Sequence, residues 1–253
     1  MRIDLNSDLG EGGDPRAMGD DATMLDLVTS ANIACGGHAG DPETMFATLE
    51  RAVARGVMIG AHPGYADREG FGRRVIPMPV PAIGRMVAAQ IGALQGVAAL
   101  AGAELRYVKP HGALANLASE DRGVAGAIVA AVAALPGRLA ILAISGTVLE
   151  HAARAAGTEV FSEIFADRAY LPDGRLMPRS CAGAVLHDPD MVVARLVRFL
   201  ETGLMPAAGG DPIRLSAHSV CVHGDTPGAS AMARRLRSAI TAAGVTVAPF
   251  LPG

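Results

Sequence analysis

The chain has 253 residues, half of them apolar, with 4% aromatics, no Trp and a formal net charge of −3. That length fits one large domain spanning 1–253, and α/β barrels commonly fill it without splitting. Scattered Lys and Arg at so small a net charge lack the basic footprint of a nucleic-acid binder, which excludes nucleic acid as the expected partner.

The opening MRIDLNSDLG has a strand-like segment and acidic residues where an export signal needs a basic start and an apolar stretch. Later apolar runs are broken by Gly, Pro or charge before they reach membrane-spanning length. The expectation is a cytoplasmic protein with no membrane partner. DLNSDLGEG sets Asp4, Asn6 and Asp8 on alternate positions of the first strand, with Glu11 following. Inward-facing carboxylates there would bind a metal, act as a base or hold a histidine tautomer. A plain acidic turn is the alternative.

DATMLDLV reads as helical and TSANIAC as the second strand, running into NIACGGHAGD with Cys35, His38 and Asp41. In DPETMFATLERAVARG, Asp41 is placed as an N-cap, Pro42 at the first helical position and Gly56 just past the end. VMIGAHP is the next strand, ending at His62. The segment PAIGRMVAAQIGALQGVAALAG is helical by its apolar spacing, and ELRYVKP is a strand. EDRGVAGAIVAAVAAL (helix), LAILAISG (strand), TVLEHAARAAG (helix) and a short strand near EVFSEIF follow. An irregular stretch from Asp167 to Asp188 precedes the helix DMVVARLVRFLETG, a strand within HSVCVHG, and the last helix PGASAMARRLRSAITAAG.

Strands alternating with helices predict a mostly parallel sheet, open or closed. Polar residues follow nearly every strand: Asp8 and Glu11, His38 and Asp41, His62, Lys109 and His111, Ser145, Glu163 with Asp167 and Arg168, then His223 with Asp225. Convergence from so many strand ends is what the C-terminal face of a barrel provides, so a barrel is favoured over an open sheet.

Each histidine alone is as easily a satisfied core residue as a functional one; four at strand ends point to a site. In VKPHGALAN, Lys109 and His111 stand two residues apart, so an extended backbone aims both to one side. Lys109 would stabilise developing oxygen charge while His111 moves a proton; the alternative is a lysine paired to a buried carboxylate. A divalent metal on Asp8, His38 and His62 is chemically reasonable but has no spacing signature. Cys35 reads as packing rather than a nucleophile, and three cysteines without a C-x-x-C pair argue against disulfides and a thiolate zinc site. Arg73, Arg74 and Arg168 each have the fork that grips carboxylate or phosphate, with salt bridges to nearby acids as the plainer role for Arg74. No Walker-type cradle occurs.

In order along the chain, DLNSDLGEG, SANIACGGHAGDP, IGAHPGYADREGFGRR, VKPHGAL, EIFADRAY and VCVHGDTPG together resemble the LamB/YcsF family, whose members are also called the A subunit of 5-oxoprolinase. The resemblance implies a TIM-like (β/α) barrel of the glycoside hydrolase/deacetylase type, with seven strands as one option. It also implies ATP-dependent opening of 5-oxoproline (pyroglutamate) to L-glutamate, with ATP and Mg2+ bound at or with partner subunits B and C. On that basis Asp8, His62, Lys109 and His111 are expected to be catalytic. His38, Arg73, Asp167, Arg168, His223 and Asp225 are expected to bind substrate. A nucleotide-free, metal-dependent amide hydrolase or deacetylase is the runner-up, and a non-catalytic protein that binds 5-oxoproline is the third reading. Ser7, Gly37 and Ala115 depart from the family pattern; Ser7 argues against a nucleophile there, and the two small residues predict an altered pocket.

Overall fold

The computed structural model describes residues 1–12, 18–222 and 228–252, with the backbone alone for 18–20. Strand β1 (Arg2–Leu9) leads through helix α1 (Met18–Leu25) to β2 (Ser30–Ala34). Then come α2 (Pro42–Ala54), β3 (Met58–His62), α3 (Val80–Leu100) and β4 (Leu105–Val108). After β4 follow α4 (Gly112–Ala118), α5 (Arg122–Ala134), β5 (Ala140–Ile144), α6 (Val148–Ala155) and β6 (Val160–Phe165). The remainder is α7 (Pro189–Thr202), a small antiparallel pair β7 (Leu204–Met205) and β8 (Ile213–Arg214), β9 (Ser219–Cys221), α8 (Ala229–Ala242) and β10 (Thr246–Val247).

The seven strands β1-β2-β3-β4-β5-β6-β9 pair in parallel in that order, and β1 also pairs with β9 through Asp4↔Ser219, Leu5↔Val220 and Asn6↔Cys221. That last pairing closes the sheet. β10 adds only Thr246 and Val247 alongside Arg2 and Ile3, outside the closed ring. Short α4, the β7–β8 pair and β10 carry too few residues to show a period, so sequence pattern does not reveal them.

Helix α2 starts as its sequence dictates, with Asp41 accepting from Thr44 N and Pro42 in the first turn. Apolar stripes of the helices pack on the outward faces of the strands: Met45 and Leu49 of α2, Val87 and Ile91 of α3, Ile128 and Val132 of α5 are all buried. Helix α3 corrects the expectation that no apolar run reaches spanning length, since its 21 residues are long and apolar enough to cross a membrane. Gly92 and Gly96 do not interrupt it, because glycine weakens a helix without breaking it. Its stripe of Ile83, Val87, Ile91, Leu94 and Ala98 is buried, and its main helical neighbour is α5.

The N-terminal mouth of the barrel is stoppered by the chain's own tail. Phe250 sits 5.0 Å from Tyr107 and 4.8 Å from Phe161, ring centre to ring centre, with Leu251 buried beside it. The opposite mouth carries the polar residues.

Candidate functional site

Strand alternation puts Asp4, Asn6 and Asp8 of β1 inside the barrel, stacked from floor to mouth and all buried. At the floor Asp4 accepts hydrogen bonds from Ser30 Oγ (2.6 Å), Thr29 Oγ1 and Ser219 Oγ. One layer up, Asn32 Nδ2 donates to Asn6 Oδ1 (2.7 Å) and Asp8 Oδ1 (2.8 Å), while Tyr107 OH donates to Asn32 Oδ1 (2.6 Å). Burial pushes the Asp4 carboxyl up to about 6, against the three hydroxyl donors that favour its charge.

Lys109 and His111 follow β4 on backbone that stays extended beside β3: Lys109 N donates to Ala61 O (2.9 Å) and His111 N to Pro63 O (2.8 Å). Both side chains therefore turn to the mouth, as their spacing predicts. Lys109 Nζ lies 2.9 Å from Asp8 Oδ1, 2.8 Å from Glu163 Oε2, 3.2 Å from Asn6 Oδ1 and 3.1 Å from Cys221 Sγ. The alternative reading of this lysine, a partner for buried carboxylate, is thus realised twice over. Burial opposes its charge, but the Asp8 and Glu163 carboxylates outweigh that and hold its pKa well above the usual lysine value. Glu163 itself is raised by burial despite Lys109.

Three histidines gather around Glu11. His38 Nε2 is 2.9 Å, His111 Nδ1 3.5 Å and His62 Nε2 3.9 Å from Glu11 Oε1, and His62 Nε2 is 3.4 Å from Asp8 Oδ2. The His38 and His111 rings stack 3.6 Å apart. Burial, then the neighbouring imidazoles, lowers both, His111 to about 3, so the neutral rings are favoured. Phe71 and Gly72 both take left-handed backbone, φ 54° and 62°, which for phenylalanine is strained. That turn delivers the Phe71 carbonyl to His111 Nε2 at 2.8 Å. A Cβ on Gly72 would stand 2.7 Å from His38 Cβ and 2.8 Å from His111 Cδ2, so glycine is required for both reasons.

A cavity of about 330 Å³ opens here, lined by Asp8, Glu11, His62, Lys109, His111 and Glu163 among others. Arg73, Arg168 and Arg179 line it as well and bring three guanidinium groups to it. Burial, then Arg179, pulls Arg168 down to about 10. Its Nη2 and Nε hold the carbonyls of Met177 and Ala184 at 2.6 and 3.2 Å, fixing the guanidinium in place.

The expected catalytic residues Asp8, His62, Lys109 and His111 thus converge, and Arg73 and Arg168 face the same cavity. His38 does not: it lies behind His111 with its Nε2 on Glu11. Asp167 is outside the lining too. His223 and Asp225 lie outside the described residues. The metal set expected from sequence brings Asp8 close to His62, but the tightest donor group among the described residues is Glu11, His38, His62 and His111, its four ligand atoms all within 4.8 Å of one another. These residue types suit a divalent ion. Arg74 forks onto Asp67, and burial raises the Cys35 thiol to about 12, away from nucleophilic use.

Two departures from the family pattern resolve differently. Ala115 lines the cavity, whereas Gly37 does not. A Cβ on Gly37 would stand 2.5 Å from Gln90 Oε1 and 2.6 Å from Gly64 O; Gln90, which bonds the Gly64 N–H and carbonyl, fills that space instead. The expectation that Gly37 reshapes the pocket is corrected on that ground. Ser7 is buried, faces away from the cavity and has no hydrogen-bond partner for its hydroxyl. Glu11 and Glu163 were legible only as acids near strand ends; a lone acid in the apolar strand VFSEIF was the available signal for Glu163.

The LamB/YcsF family model matches residues 3–252. Over 251 residues the chain is 54% identical to a Nocardia farcinica protein named as the A subunit of 5-oxoprolinase, covering 99% of this chain and 100% of that one. Among solved structures it resembles the lactam utilization protein from Thermus thermophilus, at 41% identity and a TM-score of 0.90, covering 98% of this chain and 99% of that one. The T48 deacetylase, at 13% identity and a TM-score of 0.51 over 98% of this chain and 88% of that one, shares the fold alone.

Proposed function

The chain belongs to the LamB/YcsF family, and we propose that it serves as the A subunit of 5-oxoprolinase. In that reading it cleaves the 5-oxoproline lactam to L-glutamate, dependent on ATP with Mg2+ and on partner subunits B and C, in the cytoplasm. The observation that carries the reading is a cavity lined both by Arg73, Arg168 and Arg179 and by Asp8, His62 and Lys109, on a chain 54% identical throughout to a protein of that name. The substrate is a small ring with one carboxylate, and a cavity that offers both arginines and proton-accepting groups suits both of its ends.

Arg168, held rigid by two backbone carbonyls, grips the carboxylate, with Arg73 beside it. The lactam carbonyl then lies toward Lys109, whose charge stabilises oxygen as electrons move onto it. Asp8 Oδ2, 3.4 Å from His62 Nε2, takes the proton of the attacking water. His62 is oriented by Nδ1–H donating to Lys109 O at 2.7 Å. ATP supplies the driving force by accepting the lactam oxygen at its terminal phosphorus. Water adds to the activated carbon, the ring nitrogen leaves with a proton, and a second water releases phosphate from the resulting acyl phosphate. Lactam, ATP and two waters thus balance against glutamate, ADP and phosphate.

Co-expression with subunits B and C and an assay of ATP-dependent glutamate release from 5-oxoproline tests this. Release that disappears when this chain is omitted supports the proposal; unchanged release without it overturns it. The donor group around Glu11 favours one second reading, a metal-dependent amide hydrolase needing no nucleotide. Amide cleavage by this chain without ATP would select it.

A further inference from the structure

The imidazoles of His62 and His111 approach each other nitrogen to nitrogen, His62 Nε2 to His111 Nδ1 at 2.9 Å. A neutral imidazole has one N–H and one lone pair. His62 Nδ1 lies 2.7 Å from the Lys109 carbonyl, and His111 Nε2 lies 2.8 Å from the Phe71 carbonyl. A carbonyl only accepts, so each ring's proton is assigned to its far nitrogen. The two nitrogens that face each other are then both lone pairs, and the Glu11 carboxylate oxygen stands 3.5 and 3.9 Å from them. Three electron-rich atoms around one point repel unless a cation lies among them.

We propose that Glu11, His62 and His111, with His38 as a fourth donor, bind one first-row divalent cation, Zn2+ in the first instance, at the mouth of the barrel. Donor separations of 2.9, 3.5 and 3.9 Å lie within a few tenths of an ångström of the roughly 3.3–3.6 Å expected between tetrahedral ligands whose bonds to the ion are about 2.0–2.2 Å. Histidine donating its other N–H to a backbone carbonyl is the arrangement that fixes a ligand's tautomer. Both His62 and His111 have it, by carbonyls delivered from separate segments, one of them on the strained Phe71–Gly72 turn. His38 reaches Glu11 through Nε2, but its buried Nδ1 has no hydrogen-bond partner, so it is the weaker donor. Nitrogen and oxygen donors without thiolate select a borderline ion such as Zn2+, Co2+ or Fe2+ rather than Cu+ or Ca2+. The site stands on donor geometry and does not depend on the lactam reading.

The test uses the full, untagged chain stripped with a chelator and titrated with Zn2+ by calorimetry and with Co2+ by visible absorption. The expected result is one equivalent bound, a Co2+ d–d spectrum without thiolate charge transfer, and a rise in Tm with Zn2+. His62→Ala and Glu11→Gln should each weaken binding by at least tenfold, the lower end of what is lost when a metal's supporting partners are removed. Should either variant fail to fold by circular dichroism, the wild-type stoichiometry and Co2+ spectrum decide. Wild-type protein that takes up no Zn2+ or Co2+, or a folded His62→Ala variant that keeps the same Co2+ spectrum, overturns the site. A chain that takes up no metal yet supports full ATP-dependent glutamate release would overturn the site while upholding the proposed function; a chain that binds the metal as expected but is inert in the reconstituted complex would do the reverse.

Discussion

Lys109 Nζ lies 2.9 Å from Asp8 Oδ1, at the meeting point of the first and fourth strands of the barrel, and the same ammonium reaches Glu163 on the sixth at 2.8 Å. One buried cation therefore holds two buried carboxylates from opposite parts of the chain. Such a group is costly to dismantle from one side only, because each remaining charge loses its compensation.

Replacing Lys109 by Met should abolish glutamate release and cost about 3–5 kcal/mol, a fall in Tm of roughly 6–20 °C for a chain of this size. Adding Glu163→Gln should restore part of the melting temperature, since Asp8 still lacks its partner, but none of the turnover. Calorimetric melts and the reconstituted assay check both halves. A single variant that melts like wild type contradicts the buried-charge account.

Arg168 anchors the substrate carboxylate in the proposed function, so wild type should prefer 5-oxoproline over the same lactam without its carboxylate, 2-pyrrolidone. The preference in kcat/KM should be roughly 10- to 100-fold, the value of a charge-assisted bidentate contact. Arg168→Met should shrink that ratio toward one, and Arg168→Lys should fall between. An undiminished ratio in the folded Met variant removes Arg168 from this role.

Asp4 lies at the barrel floor with its carboxyl raised from 3.8 to about 6. Between those values the folded protein keeps a proton that the unfolded chain has released. Asp4's contribution to stability is therefore fully present below the window and declines as pH rises through it. Urea unfolding of wild type and Asp4→Asn from pH 4 to 7 should show the difference moving in favour of the variant by up to about 3 kcal/mol. A pH-independent difference would place the proton elsewhere.

Gly37→Ala should lower stability by about 1–3 kcal/mol, since its Cβ meets Gly64 O at 2.6 Å, a backbone atom with nowhere to go. Relative activity on different lactams should stay unchanged. Ala115→Phe, on the cavity wall, should do the opposite, raising KM while leaving the melt nearly intact. Substrate profiles that shift with Gly37 and not with Ala115 would reverse the assignment.

Period and punctuation made much of the fold readable in advance. Asp41, Pro42 and Gly56 bounded their helix correctly because capping is a local interaction. Asp4, Asn6 and Asp8 could be placed on one face, and Lys109 with His111 on one side, because strand alternation is also local. The elements that escaped were those whose reason to form lies elsewhere in the chain, such as β10, which exists only as a partner for Arg2 and Ile3.

The chain's sequence by itself determined an alternating α/β chain with its polar residues at strand ends, and through its ordered motifs the family. Tertiary structure alone decided that seven strands close, that Lys109 is held between Asp8 and Glu163, that Glu11 rather than Asp8 heads the three histidines, and that Gly37 yields its space to Gln90. Each of these turns on distances between residues tens to hundreds of positions apart. Closure of the barrel sets those distances, and no local propensity encodes them.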